Sequence, residues 1–399
     1  MKRRLLTAAL LGASLLAGHA GSNSASAQQE PIKIGGIFPM TGLAAAAGLS
    51  MDIGARLAVR DINAAGGILG RKVELVVADD QFDTTQSVSM AKKLAYSDKV
   101  HAILGPAASQ QALAIEPIMR EASLAFFTTG SPPKFDRENA LTGFSMQLPP
   151  EEQAVAVINW AIDVRKAKRI AFIHDNGPNS AAARDRFRSY TAQRGAVPTG
   201  TEQFEQGATD MTPQLLALRR GSPDVVLVTG ATAPDMANVL KSLDDLGWEI
   251  PLGGTNAIGF LYAPIARLAG PAIRHVSAAL GVKAFTYCAG DAEGTTGYAK
   301  YLARVKLEDP KNFPQLPYTN GIYMYDAVMA IKAAAEGTGG TDGRKMAAWL
   351  EENSKKVPNI AGEMHAKPTQ HFMADSETYT MILDPSKIRA DGTMLRAGC

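Results

Sequence analysis

The segment from Ile32 to Asp83 places the tightest limit on what this chain can fold into. An apolar run at residues 32–38 leads into a polar turn, and apolar residues at helical spacing then continue to a Gly-Gly break. A second apolar run at residues 72–78 ends in acidic residues. This order predicts a strand-helix-strand unit, which favours a parallel sheet with a right-handed crossover. Because open α/β sheets bind ligands beyond the carboxyl ends of their strands, we expect the turn at residues 39–42 to face a binding site.

The same alternation continues along the chain in two series that meet near Pro149-Pro150. Further strands are predicted at residues 102–104, 124–128, 144–148, 169–174, 224–229 and 252–255. Two strand-like segments, residues 275–285 and 379–383, are expected to pass between the two series. The sequence therefore predicts two α/β domains built on parallel sheets.

The first 27 residues have the pattern of a signal peptide that directs export. Lys2, Arg3 and Arg4 precede an apolar stretch, and Ala25-Ser26-Ala27 is a small-residue cleavage site. A membrane anchor is disfavoured because the apolar stretch is shorter than the ~18 residues that span a bilayer. Cleavage near Ala27 would change the formal charge from +2 to −1, because the removed segment carries three positive charges and no acidic residue. No basic stripe remains that would indicate a nucleic-acid partner.

The chain has two cysteines, Cys288 and Cys399. In an oxidising periplasm we expect them to form a disulfide bond, and the alternative is two unpaired thiols. A metal site at these cysteines is not expected, because no histidine lies nearby in the sequence. His365 and His371 are six residues apart without a clear third ligand, and we expect them to be solvated surface residues.

Four stretches of the sequence share the pattern of a known family. They are residues 34–42, 54–70, 100–109 and 170–175. The second stretch is the most specific: Gly54-Ala55-Arg56 opens it, and Asp61-Ile62-Asn63-Ala64-Ala65-Gly66-Gly67-Ile68 follows. The chain thus resembles the periplasmic substrate-binding proteins of ABC transporters, of the leucine/isoleucine/valine-binding type. The resemblance covers nearly all of the chain after residue 27.

The resemblance implies a type I periplasmic binding protein fold, an α/β fold with two lobes joined by hinge strands. Residues 28–148 and 284–365 would form the first lobe, and residues 149–283 and 366–399 the second. The protein would close on a small molecule and present it to an ABC permease in the inner membrane. It would be monomeric and would need no cofactor.

The resemblance also implies a carboxylate site in the first lobe. Ser109 follows a strand and precedes a helix, and the matching serine of the family binds the ligand carboxylate there. Ser131 matches a hydroxyl residue of the same site, with Ala107, Thr129 and Gly130 as neighbours. The alternatives are a helix-capping role for Ser109 and an ordinary Ser-Pro turn at Ser131.

The second lobe departs from the pattern of amino-acid binders. Asn179 stands where the family has a tyrosine, and Thr232 follows a strand where it has another aromatic residue. Thr255 and Asn256 occupy the region of the acid that pairs with a ligand ammonium group, and Ala47 replaces a bulky residue in the first loop. A slip in the alignment of these loops is the alternative explanation.

These departures favour a ligand with a carboxylate and no α-amino group, such as an aromatic or aliphatic acid, over a branched-chain amino acid. Phe260, Tyr262 and Tyr323 are candidate wall residues, although aromatic residues more often pack in a core. A ligand sensor for a membrane receptor is an alternative role. An exported enzyme is disfavoured, because G-x-S-x-G and phosphate-loop motifs are absent and adjacent strand residues such as His174 and Asp175 point to opposite faces.

Overall fold

The computed structural model describes residues 30–397 and 399, so the predicted signal peptide lies outside the described residues. The first part of the chain alternates strands and helices: β1 (Ile32–Phe38), α1 (Ala45–Ala64), β2 (Val73–Asp79), α2 (Thr84–Lys92), β3 (Ala102–Leu104), α3 (Ser109–Ala122), β4 (Ala125–Thr128) and β5 (Gly143–Ser145). The strands form a five-stranded sheet in the order β2-β1-β3-β4-β5, and all neighbouring pairs are parallel. The predicted opening unit is therefore present as β1-α1-β2.

The middle of the chain forms a second alternating series: α4 (Pro150–Asn159), β6 (Arg169–Asp175), α5 (Pro178–Gln193), β7 (Val197–Phe204), α6 (Thr212–Arg220), β8 (Val225–Thr229), α7 (Ala233–Asp245), β9 (Leu252–Gly254), α8 (Asn256–Phe260), α9 (Tyr262–Ala269) and β10 (Val276–Val282). The last part contains β11 (Thr286–Tyr287), α10 (Gly297–Glu308), α11 (Tyr318–Thr338), α12 (Gly343–Asn353), β12 (Tyr379–Leu383) and β13 (Met394–Leu395). A six-stranded sheet has the order β12-β10-β9-β8-β6-β7.

The sequence patterns predict neither β7 nor the helices α6 and α10. β7 lies at the edge of the six-stranded sheet, and its residues are mostly exposed or half-buried. An edge strand needs no continuous apolar run when its faces are not covered, and Pro198 is tolerated because one side of the strand has no partner strand. The polar sequence of β7 therefore gives no strand signal.

The second sheet is parallel except for one strand. β12 runs antiparallel to β10, whereas the prediction was a parallel sheet in each lobe. β12 enters from the first lobe rather than through a helical crossover within its own sheet, so its direction is not restricted to parallel.

Helices α1 and α11 pack against each other on the first sheet, and Gly54 allows their close approach. A Cβ atom added to Gly54 would lie 1.9 Å from the carbonyl oxygen of Gly321 on α11. No side chain fits in that space, so the Gly-Ala-Arg motif places glycine at the contact between the two helices.

The chain passes between the sheets three times, after β5, after β10 and before β12. Residues 366–374, predicted as part of the second lobe, run along the first sheet. The Met373 amide donates to the Ser145 carbonyl oxygen at 2.7 Å, and the His371 amide donates to the Phe135 carbonyl oxygen at 2.8 Å. We therefore propose that the third crossing lies near residue 375 and not at residue 366.

Near the C-terminus, β13 pairs with β11, and a disulfide bond joins Cys288 to Cys399. The Cα atoms of the two cysteines are 5.5 Å apart, and the bond closes a segment with a sequence separation of 111 residues. Within the described residues, no helix is both long enough and apolar enough to cross a membrane.

Candidate functional site

A cavity of about 90 Å³ lies between the two sheets. Most of its lining residues follow the carboxyl ends of strands, where loops turn into helices: β1, β3 and β4 in the first lobe and β6, β8 and β9 in the second. Both lobes therefore contribute a wall, as expected for a cleft at the strand ends of two α/β domains.

Eight of the eleven predicted ligand-binding residues line this cavity. They are Ala47, Ala107, Ser109, Thr129, Gly130, Ser131, Asn179 and Asn256. Their assignment to ligand binding stays a prediction, but the fold brings them together from five separate loops.

The other three predicted residues, Thr232, Thr255 and Tyr323, do not line the cavity. The Thr232 hydroxyl caps α7 by accepting from the Asp235 amide at 3.2 Å. The Thr255 hydroxyl is fully buried and donates to the Thr229 hydroxyl at 2.8 Å. Tyr323 is buried, and its hydroxyl forms a hydrogen bond with that of Tyr379. These side chains have structural partners outside the cavity.

Ser109 occupies the first position of α3, and its hydroxyl accepts a hydrogen bond from the Ser131 amide at 3.0 Å. Its hydroxyl proton is thus free to donate into the cleft. The amide groups of the first helical turn have no partners within the helix, and the helix dipole adds positive potential at the same end. This arrangement suits a carboxylate.

Gly130 permits the contact between the two loops that form this wall. A Cβ atom on Gly130 would lie 2.6 Å from the Ser109 nitrogen. The β4 loop can therefore reach the start of α3 only with glycine at this position.

Ser131 reaches the cavity but uses its hydroxyl proton elsewhere. Its hydroxyl donates to the carbonyl oxygen of Leu148 at 2.7 Å, and Gln153 donates to the same oxygen at 2.8 Å. Ser131 therefore orients Ser109 through its backbone amide. As long as the Ser131 hydroxyl keeps its bond to Leu148, it can accept a hydrogen bond from a ligand but cannot donate one.

The wall of the second lobe presents acceptors. The Asp175 carboxylate is 1% exposed, and it accepts from the amides of Gly177 at 3.0 Å and Ala231 at 2.8 Å and from the Gln206 side chain at 3.0 Å. Asn179, at the start of α5, has a buried side-chain oxygen with no partner among the described residues. The sequence did not single out Asp175 as a site residue, although an acidic residue at a strand end was a usable signal.

Apolar side chains complete the cavity. Phe82, Phe260 and Leu261 line it, and the Phe260 ring packs edge-on against Tyr323 with centroids 5.7 Å apart. Tyr262 lies in the hydrophobic core of the second lobe and not on the cavity wall. Of the three candidate aromatic wall residues, the structure thus places Phe260 at the cavity.

The charges around the cavity are unbalanced. Asp175 is the one acidic residue among its described lining residues, and none of these is Lys, Arg or His. A bound anion would therefore depend on hydroxyl and amide donors and on the dipoles of the helices that begin at the cavity, among them α3 and α5.

The described residues contain no cluster of three or more histidine, cysteine or acidic residues placed to hold a metal. The expectation that His371 is solvated is wrong, because its side chain is fully buried. Its ring nitrogens contact the Glu351 carboxylate at 2.8 Å and the Gly143 carbonyl oxygen at 2.9 Å. His371 thus links Glu351 on α12 to Gly143 in the first sheet.

The fold and the interlobe cleft define a bilobal solute-binding protein. The chain belongs to the periplasmic binding protein family, whose sequence profile matches residues 31–384. This is a family of solute-binding proteins and not of enzymes.

Individual relatives agree with this assignment. A Leu/Ile/Val-binding protein, BraC3, from Rhizobium johnstonii is 26% identical over 335 residues, which cover 84% of this chain and 86% of the relative. The resemblance to the leucine/isoleucine/valine-binding type is thus confirmed.

Two solved structures share the fold. The substrate-binding protein LivJ of Streptococcus pneumoniae, in complex with isoleucine, matches with a TM-score of 0.77 and 22% identity, over 92% of this chain and 100% of that chain. An ABC-transporter solute-binding protein from R. palustris, in complex with 4-hydroxybenzoate, matches with a TM-score of 0.76 and 18% identity, over 92% of this chain and 95% of that chain. The predicted two-lobe fold is confirmed.

Proposed function

We propose that this protein is the periplasmic solute-binding component of an ABC importer and that it captures a small carboxylic acid between its lobes. The observation that carries the proposal is Ser109 at the start of α3, with a free hydroxyl proton and unpaired amides at the cavity. An ionised acceptor forms stronger hydrogen bonds than a neutral one, so a carboxylate gains most from these donors.

The proposal includes export and a membrane partner. Cleavage near Ala27 would release the protein into the periplasm as a monomer, and the closed lobes would dock on an inner-membrane permease. Membership of the periplasmic binding protein family supports both points.

One candidate ligand class is an acid without an amino group, such as an aromatic acid. Ala47 leaves space in the first loop, and the positions of Thr255 and Asn256 hold no acidic residue for an ammonium group. A structural neighbour that binds 4-hydroxybenzoate supports this class. The cavity of about 90 Å³ is smaller than the roughly 150 Å³ that holds benzene, and this size limit applies equally to the larger amino acids. An aromatic acid would need a wider cleft.

The second candidate class is an amino acid, and Asp175 is the observation that favours it. A ligand carboxylate in this cavity would be repelled by the Asp175 carboxylate, because like charges at reduced dielectric constant raise each other's energy. A zwitterion would replace this repulsion with attraction between its ammonium group and Asp175. The charge balance of the cavity therefore favours an amino acid. Its ammonium group would bind Asp175 and Asn179, because this chain has no acidic residue at positions 255–256.

Matched pairs of ligands test the proposal. Thermal-shift and calorimetric titrations would compare leucine with 4-methylpentanoate, and phenylalanine with 3-phenylpropanoate, with 4-hydroxybenzoate as a separate case. Binding of any of these acids that Ser109→Ala weakens supports the carboxylate site. A preference for the amino partner of each pair identifies the zwitterion class, and a preference for the deaminated partner identifies the first class. Failure of all small acids to bind would contradict the proposed function.

A further inference from the structure

The first crossing between the lobes carries a side chain that the sequence motifs did not identify. Gln147 lies between β5 and α4, and its side chain faces the cavity. The backbone of Gln147 is held in the first lobe, because its nitrogen donates to the Ser145 hydroxyl at 3.2 Å. The backbone of Gln147 is thus anchored beside β5, and the residue lines the cavity.

Both polar atoms of the Gln147 side chain are used by the protein. The nitrogen donates to the carbonyl oxygen of Thr129, in the first lobe. The oxygen accepts a hydrogen bond from the side-chain nitrogen of Asn256, in the second lobe. Asn256 begins α8 shortly after β9 and is 4% exposed, whereas Gln147 is half-buried, so the bond is partly shielded from solvent. One amide therefore connects the β4 loop to the β9 loop across the cleft.

We propose that Gln147 and Asn256 are positioning residues that hold the two lobes together independently of the ligand. The arrangement of the rest of the cleft agrees, because α3 of the first lobe also approaches α5 of the second. The proposal rests on the proposed function for its effect on ligand affinity, whereas the contact itself joins two side chains of the protein.

The physical consequence concerns the balance between open and closed forms. Opening the cleft separates Asn256 from Gln147 and breaks their hydrogen bond. A typical net hydrogen bond shifts an equilibrium by roughly two- to tenfold. Since the closed form is the one that surrounds a ligand, losing the bond should weaken all ligands by the same factor.

An equal loss of affinity for all ligands distinguishes the Gln147–Asn256 pair from a direct contact with the ligand. A side chain that reads one group of the ligand changes affinity for the ligands that carry this group. A side chain that biases closure changes affinity for every ligand that the closed form binds.

The direct test measures the distance between the lobes without ligand. Spin labels at L113C on α3 and S189C on α5 would report this distance by pulsed dipolar spectroscopy in the otherwise unchanged chain. We expect Asn256→Ala and Gln147→Ala each to raise the population at longer distances by roughly two- to tenfold, and the double variant to show little more than either single variant. Gln110→Ala removes an amide from the same cavity wall and serves as the matched control.

Affinity is the second measurement, with the small acids named above. Asn256→Ala and Gln147→Ala should weaken every acid that binds by the same factor. An unchanged distance distribution in both variants, or a loss confined to some acids, would overturn the proposal. If no acid binds, the proposed function fails, and the ligand-free distances still decide whether the pair holds the lobes together. Circular dichroism confirms that each variant is folded, and either single variant suffices if the other does not fold.

Discussion

Ser109 and Ser131 have the same side chain and touch each other, yet their positions give them different roles. Ser109 accepts from the Ser131 amide and keeps its proton for the cleft, whereas Ser131 donates its proton to Leu148. The family resemblance implies that both hydroxyls hold a ligand carboxylate. In the hydrogen-bond network the Ser131 proton is used by Leu148, so we propose that Ser109 is the serine that donates to a ligand.

The difference predicts distinct effects of two serine substitutions. Ser109→Ala should weaken binding of an acid about 10- to 100-fold, since a hydrogen bond to a charged group contributes about 1.5–3 kcal/mol. Ser131→Ala should reduce the free energy of unfolding by about 1 kcal/mol and affect affinity less, because it removes a bond to the backbone. Calorimetric titration and urea unfolding measure the two quantities. A larger affinity loss for Ser131→Ala would contradict the assignment.

Asp326 on α11 is a second residue whose state depends on its environment. It is fully buried, and its oxygens accept from the amides of Ile360 at 2.8 Å and Ala361 at 2.9 Å. Burial raises the pKa of Asp326 to about 7, because desolvation of the charged form outweighs these two hydrogen bonds. The folded state thus holds the proton more tightly than the unfolded chain does.

The raised pKa of Asp326 gives a direction for the pH dependence of stability. Its contribution is fully present below pH ~4 and is lost as the pH rises towards 7, with a total on the order of 4 kcal/mol. Asp326→Asn should remove this part of the dependence, although the variant is less stable overall. Urea unfolding of both proteins between pH 5 and pH 8 measures the difference. If the gap between them does not narrow as the pH rises, this account of Asp326 is wrong.

At the scale of elements, the contact between α1 and α11 depends on Gly54. Gly54→Ala would force its methyl group against the Gly321 carbonyl oxygen, and backbone cannot move aside as a side chain can. We expect a loss of about 3 kcal/mol or more in the free energy of unfolding, measured by urea denaturation.

Gly340→Ala provides the matched control for Gly54. No described atom lies within 4 Å of a Cβ added at Gly340, and its backbone is not left-handed. This substitution should leave stability within about 0.5 kcal/mol of the parent. An equal loss in both variants would show that a general effect of replacing glycine, and not the helix contact, is responsible.

At the scale of the whole molecule, the Cys288–Cys399 bond attaches the C-terminus to the segment that follows the second crossing. It closes a long loop that contains α10, α11 and α12. Replacing both cysteines by serine should lower the free energy of unfolding by about 2–5 kcal/mol, because the unfolded chain gains freedom. Thermal unfolding with and without a reductant measures the effect. The reductant should destabilise the parent and leave the double variant unchanged.

Sequence patterns were enough to predict the family and the general fold. Apolar runs such as Ile32–Phe38 and residues 102–104 are buried central strands, and burial on both faces requires the continuous apolar residues that the pattern detects. Ser109 and Asn179 were predicted from the family resemblance, and both line the cavity because strand ends in parallel sheets meet at one edge.

How these parts act together depends on contacts that form only in the folded protein. The polar edge strand β7, the use of the Ser131 proton and the Gln147–Asn256 bond depend on partners 17 or more residues away, or on a position in the sheet. Asp175 lines the cavity because the second lobe faces the first. Local sequence patterns record burial and turn chemistry, whereas a contact across the cleft depends on how two separately folded sheets come together, and no single stretch of the chain encodes that arrangement.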